Sequence, residues 1–288
     1  MSRVSSAESF MLGFHARHPG VTARALSRGR TGDGRSSYEV LADLARAGQR
    51  VLDLGCGDGF LLEVLVARGH APGSLVGIDL SAHEIAAARR RPALAGVSLV
   101  CESAASLSAE ARSFHVVLSH LAFMLVSDLE AVIAELCRVL RPAGLFATIV
   151  GGGPVPAHAA HAGDPGHASC LGVPAGPGES LAAAPRGDAF ALFLDLLAGA
   201  CRDLTEPAPR LGDPRARDAV GLAPLLCAAG GFEPLDETAM TLRLDGTAAQ
   251  VWDSLAASYE LSLLAAARAL TRRDQPAGCM IALGELQS

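Results

Sequence analysis

A glycine-rich turn between two apolar segments is the feature that most limits how this chain folds. Residues 51–59 read Val-Leu-Asp-Leu-Gly-Cys-Gly-Asp-Gly, and the residues after them are apolar at helical spacing. This pattern predicts a buried strand that passes through a tight turn into a helix. The glycines at Gly55, Gly57 and Gly59 predict a ligand that passes close to the backbone, where a side chain would block it.

Short aliphatic segments alternate with helical segments as far as residue 150. Strands that alternate with helices of this length predict a parallel sheet with helices on both faces. A turn at 141–144, Arg-Pro-Ala-Gly, is predicted to end the last helix and to start the fifth strand. The predicted strands are 51–54, 74–80, 97–101, 115–119 and 144–150, and the predicted helices are 60–69, 82–91 and 129–140.

An acidic residue, Asp79, ends the strand predicted to lie next to the glycine-rich turn. A carboxylate at that position accepts hydrogen bonds from the hydroxyls of a ribose. Dinucleotide-binding loops have a third glycine where this chain has Phe60, which argues against a nicotinamide-dependent enzyme. Asp53 and Asp58 bracket the turn, and their charge disfavours a pyrophosphate. The turn therefore predicts a nucleoside that carries an amino group and a sulfonium charge.

Composition excludes several classes of function. The net charge is −6 and no long basic stripe is present, which argues against a nucleic-acid substrate. The chain contains no lysine, so Walker A and Schiff-base chemistry are excluded. The seven cysteines form no CxxC pair, and the apolar stretches fall short of the roughly 20 residues of a membrane span. We expect a cytoplasmic protein, and the Arg, Ala, Gly and Pro richness suggests a bacterial source.

Four motifs together resemble those of the class I S-adenosylmethionine-dependent methyltransferase family. They are Asp-Leu-Gly-Cys-Gly-Asp-Gly at 53–59, Ile-Asp-Leu-Ser at 78–81, Phe-His-Val-Val-Leu-Ser-His at 114–120 and Leu-Arg-Pro-Ala-Gly at 140–144. The resemblance covers roughly residues 38–150, and the elements from Ala219 onward fit the sheet of the family. His115 departs from the pattern, since aspartate is commoner there, and we expect that change to be neutral.

The resemblance implies an α/β fold: a Rossmann-like, seven-stranded, mostly parallel sheet with helices on both faces, plus helical cap insertions. Outside the motifs, we predict helices at 188–203, 219–229 and 247–270 and strands at 232–244 and 278–286. The segment 151–187 is rich in glycine, proline and histidine, and it is predicted to be a lid or a disordered loop. The predicted domains are an N-terminal helical lid (1–49), a cofactor-binding core (50–150), a loop and helical cap (151–216) and a completion of the sheet (217–288) with a helical insertion (247–271).

The cofactor that the resemblance implies is S-adenosylmethionine, with S-adenosylhomocysteine as product. Its methionine end is expected at the glycine-rich turn, its ribose at Asp79, and its adenine beside Leu80 and the residues that follow the third strand. Tyr38, on the helix before the first strand, is predicted to reach the cofactor carboxylate. The predicted cofactor-binding residues are Tyr38, Asp53, Gly55, Cys56, Gly57, Gly59, Asp79, Leu80, Glu102, Ser103 and Ser119.

Methyl transfer needs an aligned acceptor more than a dedicated catalyst, and a general base helps only where the acceptor carries a proton. Histidine ionises near neutral pH, so His120, at the end of the fourth strand, is a candidate base; the alternative is a wall of the pocket. His15 and His18 are candidates because family members often fold an N-terminal helix over the ligand. The group formed by His158, His161, His167 and Cys170 matches no metal-site spacing, and no metal is predicted.

The sequence indicates less about the methyl acceptor than about the cofactor. The insertions are mostly apolar, and an apolar roof suits a small organic methyl acceptor. The large side chains available to line that roof, or to form its core, are Phe190, Phe193, Trp252 and Tyr259. Three alternative hypotheses remain beside a small-molecule methyltransferase. They are a macromolecular methyltransferase, a protein that binds S-adenosylmethionine without transferring methyl, and a nicotinamide-dependent enzyme. The acceptor atom is O, N or C, specialised metabolism is a plausible setting, and no nucleic acid or membrane is expected as a partner.

Overall fold

The computed structural model describes residues 6–151, 211–217, 219–233, 235–236, 238–240 and 242. Several predicted features lie outside these residues. They are the helices at 188–203 and 247–270, the strand at 278–286, the histidine and cysteine group of the loop, and the aromatic residues of the roof.

Five strands and seven helices are formed by the described residues. The strands are β1 (Val51–Leu54), β2 (Leu75–Asp79), β3 (Ser98–Cys101), β4 (Phe114–His120) and β5 (Leu140–Ile149). The helices are α1 (Ser6–Arg17), α2 (Val21–Leu26), α3 (Ser37–Ala42), α4 (Phe60–Ala67), α5 (Ala82–Ala88), α6 (Leu129–Val139) and α7 (Ala219–Gly230). Short 3-10 turns lie at Pro72–Ser74, Pro92–Leu94, Phe123–Leu125 and Pro214–Ala216.

The strands form one sheet in the order β3-β2-β1-β4-β5, and each neighbouring pair is parallel. The sequence prediction of these five strands and of the helices between them is confirmed. Because the chain reverses its direction of travel across the sheet after β3, β1 and β4 become neighbours. A crevice opens at the carboxyl ends of strands at such a point, and ligands of parallel α/β sheets bind there.

Apolar side chains cover both faces of this sheet. Along β1, Leu52 and Leu54 pack with α6 on one face, whereas Val51 packs with α3, α4 and α5 on the other. Successive side chains of a strand point to opposite faces, so a strand buried on both sides is largely apolar, and Asp53 is the exception in β1. The prediction of helices on both faces is therefore confirmed for the described part of the chain.

Polar caps explain where several of these helices begin. Ser36 and Glu39 form a reciprocal capping box at the start of α3. Asp128 accepts a hydrogen bond from the backbone N–H of Ala131 at 3.1 Å and so begins α6. No helix in the described part of the chain has both the length and the apolar character that crossing a bilayer requires.

Three details of the predicted fold were wrong or are only partly borne out. Strand β5 begins at Leu140, and residues 141–144 form an irregularity within it, with Ala143 at a φ of 60°, where a turn before the strand was predicted. The described residues of the predicted strand 232–244 form no strand. The described sheet therefore has five strands where the family resemblance implied seven.

Candidate functional site

The glycine-rich turn joins β1 to α4 at the crevice end of the sheet. Gly55, Gly57 and Gly59 all have positive φ values, 74°, 52° and 80° respectively. Other residue types are strained in that region, which explains why glycine recurs at every second position. The backbone N–H groups of Gly55 and Cys56 both donate to the carbonyl of Ile78, at 2.9 and 2.8 Å, and so hold the turn against the end of β2.

The space around the three glycines differs. A Cβ atom on Gly55 would overlap the side chain of Ala122, and one on Gly59 would overlap Leu94. At Gly57 the nearest atom would be a carboxylate oxygen of Glu84, 3.9 Å away. Ligand approach was the predicted reason for all three glycines. Contacts within the protein already require the first and the third, and only Gly57 borders open space.

Asp79 ends β2 and is held by two backbone amides. Its Oδ2 accepts from the N–H of Gly57 and its Oδ1 from the N–H of Ser81, both at 2.8 Å. Burial raises the pKa of Asp79, while these two hydrogen bonds act in the opposite direction. The carboxylate predicted to bind a ribose is thus fixed in direct contact with the open part of the turn.

Asp53, in the middle of β1, is a buried carboxyl group with an unpaired oxygen. The residue is 1% exposed, and its Oδ2 has no hydrogen-bond partner among the described residues. Burial raises its pKa well above the usual range, and the nearby carboxylates of Asp79 and Asp58 raise it further. A buried acid without a partner is costly, so its environment calls for a positively charged or hydrogen-donating ligand.

Asp58 was predicted, together with Asp53, to attract a positively charged ligand. Its own charge is already neutralised within the protein. It forms an ion pair with Arg91, which also pairs with Glu63. The Arg91 side chain donates as well to the carbonyl of Asp58 at 2.6 Å. Of the two aspartates that bracket the turn, only Asp53 therefore offers charge to a ligand.

His120 ends β4 on the same sheet face as Asp53. Its ring stacks on Tyr38, with centroids 3.7 Å apart, and its Nε2 lies 2.9 Å from the Oγ of Ser37. Its Nδ1 has no hydrogen-bond partner in the described part of the chain. Burial lowers the pKa of His120 to about 3. A group that holds a proton so weakly is neutral at physiological pH and is a poor general base.

Ser119 faces the opposite side of the sheet, because neighbouring strand residues alternate. It is fully buried, and its hydroxyl donates to the carbonyl of Leu54 at 2.9 Å. Tyr38 lies on the His120 side and is buried between His120 and Phe60, whose ring centroid is 4.8 Å away. The structure thus brings Tyr38, His120 and Asp53 to one face and places Ser119 on the other.

The remaining predicted cofactor residues border the ends of β2 and β3. Leu80 is 39% exposed, which is unusual for leucine and leaves an apolar surface available. Glu102 accepts from the N–H of Ser108 at 3.1 Å, and Ser103 accepts from the N–H of Ala105 at 3.3 Å. Cys56 is buried within the turn, and burial raises the pKa of its thiol.

The two N-terminal histidines occupy different environments. The Nδ1 of His15 lies 2.6 Å from a carboxylate oxygen of Glu84, on α5. The ring of His18 packs against Phe14, with centroids 5.2 Å apart. Sequence reasoning missed Glu84, because the Ser-x-x-Glu pattern at 81–84 reads as an ordinary helix cap. It also missed the strained residue Leu121, which follows β4 with a φ of 57°.

The described residues contain no group of three or more side chains suited to hold a metal ion. What they assemble is a carboxylate-lined turn, an exposed leucine and a neutral aromatic wall at the carboxyl ends of β1, β2 and β4. Residues 52–148, which include these strands, match the sequence model of a family described as a methyltransferase domain. This match agrees with the methyltransferase resemblance that the sequence motifs carry.

Two curated relatives each match about a third of this chain. The ubiquinone biosynthesis O-methyltransferase of Chelativorans sp. is 35% identical over 101 residues, which are 34% of this chain and 39% of that protein. The fatty-acid O-methyltransferase of Mycolicibacterium smegmatis is 36% identical over 99 residues, which are 34% of this chain and 36% of that protein. This chain therefore spans less than half the length of these relatives.

A solved structure, the S-adenosylmethionine dependent methyltransferase from Mesorhizobium loti, is 27% identical to this chain. The match covers 40% of this chain and 54% of that one, with a TM-score of 0.36.

Proposed function

We propose that the chain binds S-adenosylmethionine and transfers its methyl group to a small organic molecule, with S-adenosylhomocysteine as the product. The observation that carries this proposal is the unpaired, buried carboxyl oxygen of Asp53 beside the open backbone at Gly57. A cationic nucleoside satisfies that oxygen, whereas a pyrophosphate would be repelled by it. The methyltransferase domain match supports the same cofactor.

The residues present fit the parts of this cofactor. Asp79 has carboxylate lone pairs beyond the two that Gly57 and Ser81 occupy, and these accept the ribose hydroxyls. The exposed side of Leu80 packs on the adenine. Asp53 faces the positive charge of the methionine end. When bound, the cofactor supplies a methyl group activated by the adjacent sulfonium.

The protein then contributes alignment and exclusion of water more than proton transfer. Tyr38 and His120 form a stacked wall on the Asp53 face, and His120 remains neutral there. A neutral wall does not compete with Asp53 for the cation, and it leaves an apolar side on which an acceptor is held in line with the methyl group. Helices α1–α3 act as the N-terminal lid of this site.

The acceptor in this proposal is a small molecule, with an oxygen atom as the first candidate. Both curated relatives are named as O-methyltransferases, one in ubiquinone biosynthesis and one on fatty acids. The net charge of −6 is unfavourable for a nucleic-acid substrate.

Calorimetric titration of the full chain with S-adenosylmethionine, S-adenosylhomocysteine and NAD tests the proposal. We expect the first two to bind in the micromolar range and NAD to show no binding. Asp79→Asn should abolish binding, because an amide cannot accept both ribose hydroxyls while it keeps its two backbone partners. Asp236→Asn, a change of the same type on an exposed residue, should bind as the wild type does. Binding of NAD alone would contradict the proposal.

A further inference from the structure

Among the described residues, α3 and α5 both begin with a Ser-x-x-Glu sequence whose serine caps the helix, and the two sequences behave differently. At α3 the capping box is complete: Ser36 Oγ accepts from the N–H of Glu39 at 3.2 Å, and Glu39 Oε2 accepts from the N–H of Ser36 at 2.8 Å. At α5 only half of the box forms. Ser81 Oγ accepts from the N–H of Glu84 at 3.4 Å, and the reciprocal bond from the Ser81 N–H is made elsewhere.

Asp79 takes the bond that Glu84 would otherwise make. The N–H of Ser81 donates to the Oδ1 of Asp79, the carboxylate proposed to bind the ribose. Glu84 is therefore released from capping its own helix. Its carboxylate nevertheless lies inside the protein, since the residue is 1% exposed, and a buried carboxylate requires other partners.

Those partners come from the N-terminal helices. Both carboxylate oxygens of Glu84 accept from the N–H of Gly20, at 3.0 and 2.8 Å, across 64 residues of sequence. Oε1 also contacts the Nδ1 of His15 at 2.6 Å. One side chain on α5 therefore holds the end of α1 and the first residue before α2. We call these three residues, Glu84, Gly20 and His15, the N-terminal clasp.

The clasp borders the proposed cofactor site. Gly20 rests on the side chain of Asp58: a Cβ on Gly20 would lie 2.6 Å from an Asp58 carboxylate oxygen. On the other side of the clasp, a Cβ on Gly57 would lie 3.9 Å from Glu84 Oε2. The connection between α1 and α2 is thus held against the same glycine-rich turn whose open backbone and Asp79 face the ligand.

We propose that Glu84 is a positioning residue that, together with His15, fixes the α1–α2 connection against the cofactor-binding turn, so that closure of the N-terminal helices and cofactor binding strengthen each other. This inference rests on the function proposed above. Residues fixed before a ligand arrives do not have to be ordered at the moment of binding, so the clasp raises affinity through preorganisation. Loss of the clasp loosens the α1–α2 connection and weakens cofactor binding, while the carboxylates of Asp53 and Asp79 remain in place.

The test compares the same substitution at the two helix starts. Glu84→Gln keeps an acceptor for Gly20 but loses the charge that holds His15. It should weaken S-adenosylhomocysteine binding by roughly tenfold, within the range that hydrogen bonds to charged groups commonly contribute. Glu39→Gln should leave the affinity unchanged, because glutamine also completes a capping box. Both affinities are measured by calorimetry on the full chain.

A second pair of variants tests the other half of the clasp. His15→Ala should weaken binding as Glu84→Gln does. His15→Asn, whose amide nitrogen replaces Nδ1 as a donor, should restore most of the affinity. Hydrogen exchange supplies a readout that a purely structural role would not move. In the wild type, the Gly20 amide should exchange slowly and should slow further with S-adenosylhomocysteine. In Glu84→Gln, whose neutral acceptor holds Gly20 less tightly, the amide should exchange faster and should slow less when the ligand binds.

The outcomes separate the two proposals. Wild-type protein that binds neither S-adenosylmethionine nor S-adenosylhomocysteine contradicts the proposed function. Tight wild-type binding that is unchanged in Glu84→Gln and His15→Ala overturns the clasp alone. A lower melting temperature of Glu84→Gln at unaltered affinity overturns it too, because Glu84 would then stabilise the fold without serving the site.

Discussion

Two buried polar residues of the proposed cofactor site, one on β1 and one at the end of β4, are expected to lower the stability of the ligand-free protein. Asp53 has an unpaired oxygen, and His120 has an unpaired ring nitrogen in the described part of the chain. Most buried polar groups find partners, so two exceptions on one face of one crevice are informative. Groups that bind a ligand commonly destabilise the protein when the ligand is absent. Because Asp53 and His120 are titratable, this destabilisation should appear in the pH dependence of the free energy of unfolding.

Asp53→Asn should stabilise the ligand-free protein at pH 8 by about 1 kcal/mol or more, because the wild type must there either bury a charge without a partner or bind a proton against the pH. Burial and neighbouring carboxylates raise the folded-state pKa of Asp53. Folding therefore takes up a proton, and the wild type loses stability as the pH rises from the ordinary aspartate range towards the folded-state pKa. The advantage of the variant should be smaller at pH 5. Urea unfolding at both pH values measures this.

The same Asp53→Asn variant should bind S-adenosylhomocysteine and S-adenosylmethionine more weakly, since its charge is gone. Asp236→Asn, an exposed change, serves as the control for the unfolding measurements. A variant less stable than the wild type at pH 8 would show that Asp53 is satisfied within the protein and is not held for a ligand.

His120→Gln should make the protein less sensitive to acid. The pKa of His120 is lowered from 6.5 to about 3 in the folded protein by burial, so its contribution to stability is present above pH 6.5 and is lost as the pH falls towards 3. Over that window the wild type should lose about 1.4 kcal/mol per pH unit more than the variant. Thermal melts between pH 7 and pH 4 measure the difference, with His83→Gln, on the exposed side of α5, as control. Equal acid sensitivity of His120→Gln and wild type would mean that His120 protonates normally.

At the scale of elements, the turn from β1 to α4 combines strain with crowding. Gly55 has a φ of 74° and its α-carbon faces Ala122, in the segment after β4. Gly48 has a φ of 86° with nothing near the position of a Cβ atom. The two glycines therefore share the backbone requirement and differ in packing.

Alanine substitution at the two glycines should separate those effects. Gly48→Ala should cost about 1 kcal/mol, the strain of a left-handed backbone. Gly55→Ala should cost about 3 kcal/mol, because the loop after β4 must also move. Denaturant unfolding of both variants gives the two free energies. A similar loss in the two variants would show that the contact between the turn and Ala122 is easily relieved.

Elements with a strong period were predictable from the sequence, and contacts between distant elements were not. All five strands up to residue 150 carry short, mostly apolar segments, so their positions along the chain followed from the pattern alone. The expected burial holds for β1, whereas β3 is only partly buried. Alternation along β4 would also have told Ser119 from His120, since the two face opposite sides of the sheet. The role of Glu84 could not be predicted from the sequence. It depends on the amide of Gly20, 64 residues away, and on Asp79, which accepts the hydrogen bond from Ser81 in place of Glu84.

At the scale of the whole molecule, charge separates a small-molecule enzyme from one that acts on nucleic acid. The chain has 24 basic and 30 acidic residues, for a net charge of −6. Two arginines that follow α5 and α4 are committed locally: Arg91 pairs with Asp58 and Glu63, and Arg68 pairs with Asp43. Nucleic-acid affinity comes largely from phosphate contacts by free basic groups, and it weakens steeply as salt rises.

We therefore expect the full chain to show no binding to labelled duplex DNA or RNA at micromolar protein and low salt, where phosphate contacts are strongest. Fluorescence anisotropy measures this, with and without S-adenosylmethionine, because the sulfonium of the cofactor adds a positive charge near the site. Equal, negligible signals with both nucleic acids agree with a small-molecule acceptor. Salt-sensitive binding that strengthens with the cofactor would mean that residues beyond the described core form a basic surface, and a macromolecular acceptor would then replace the small molecule in the proposed function.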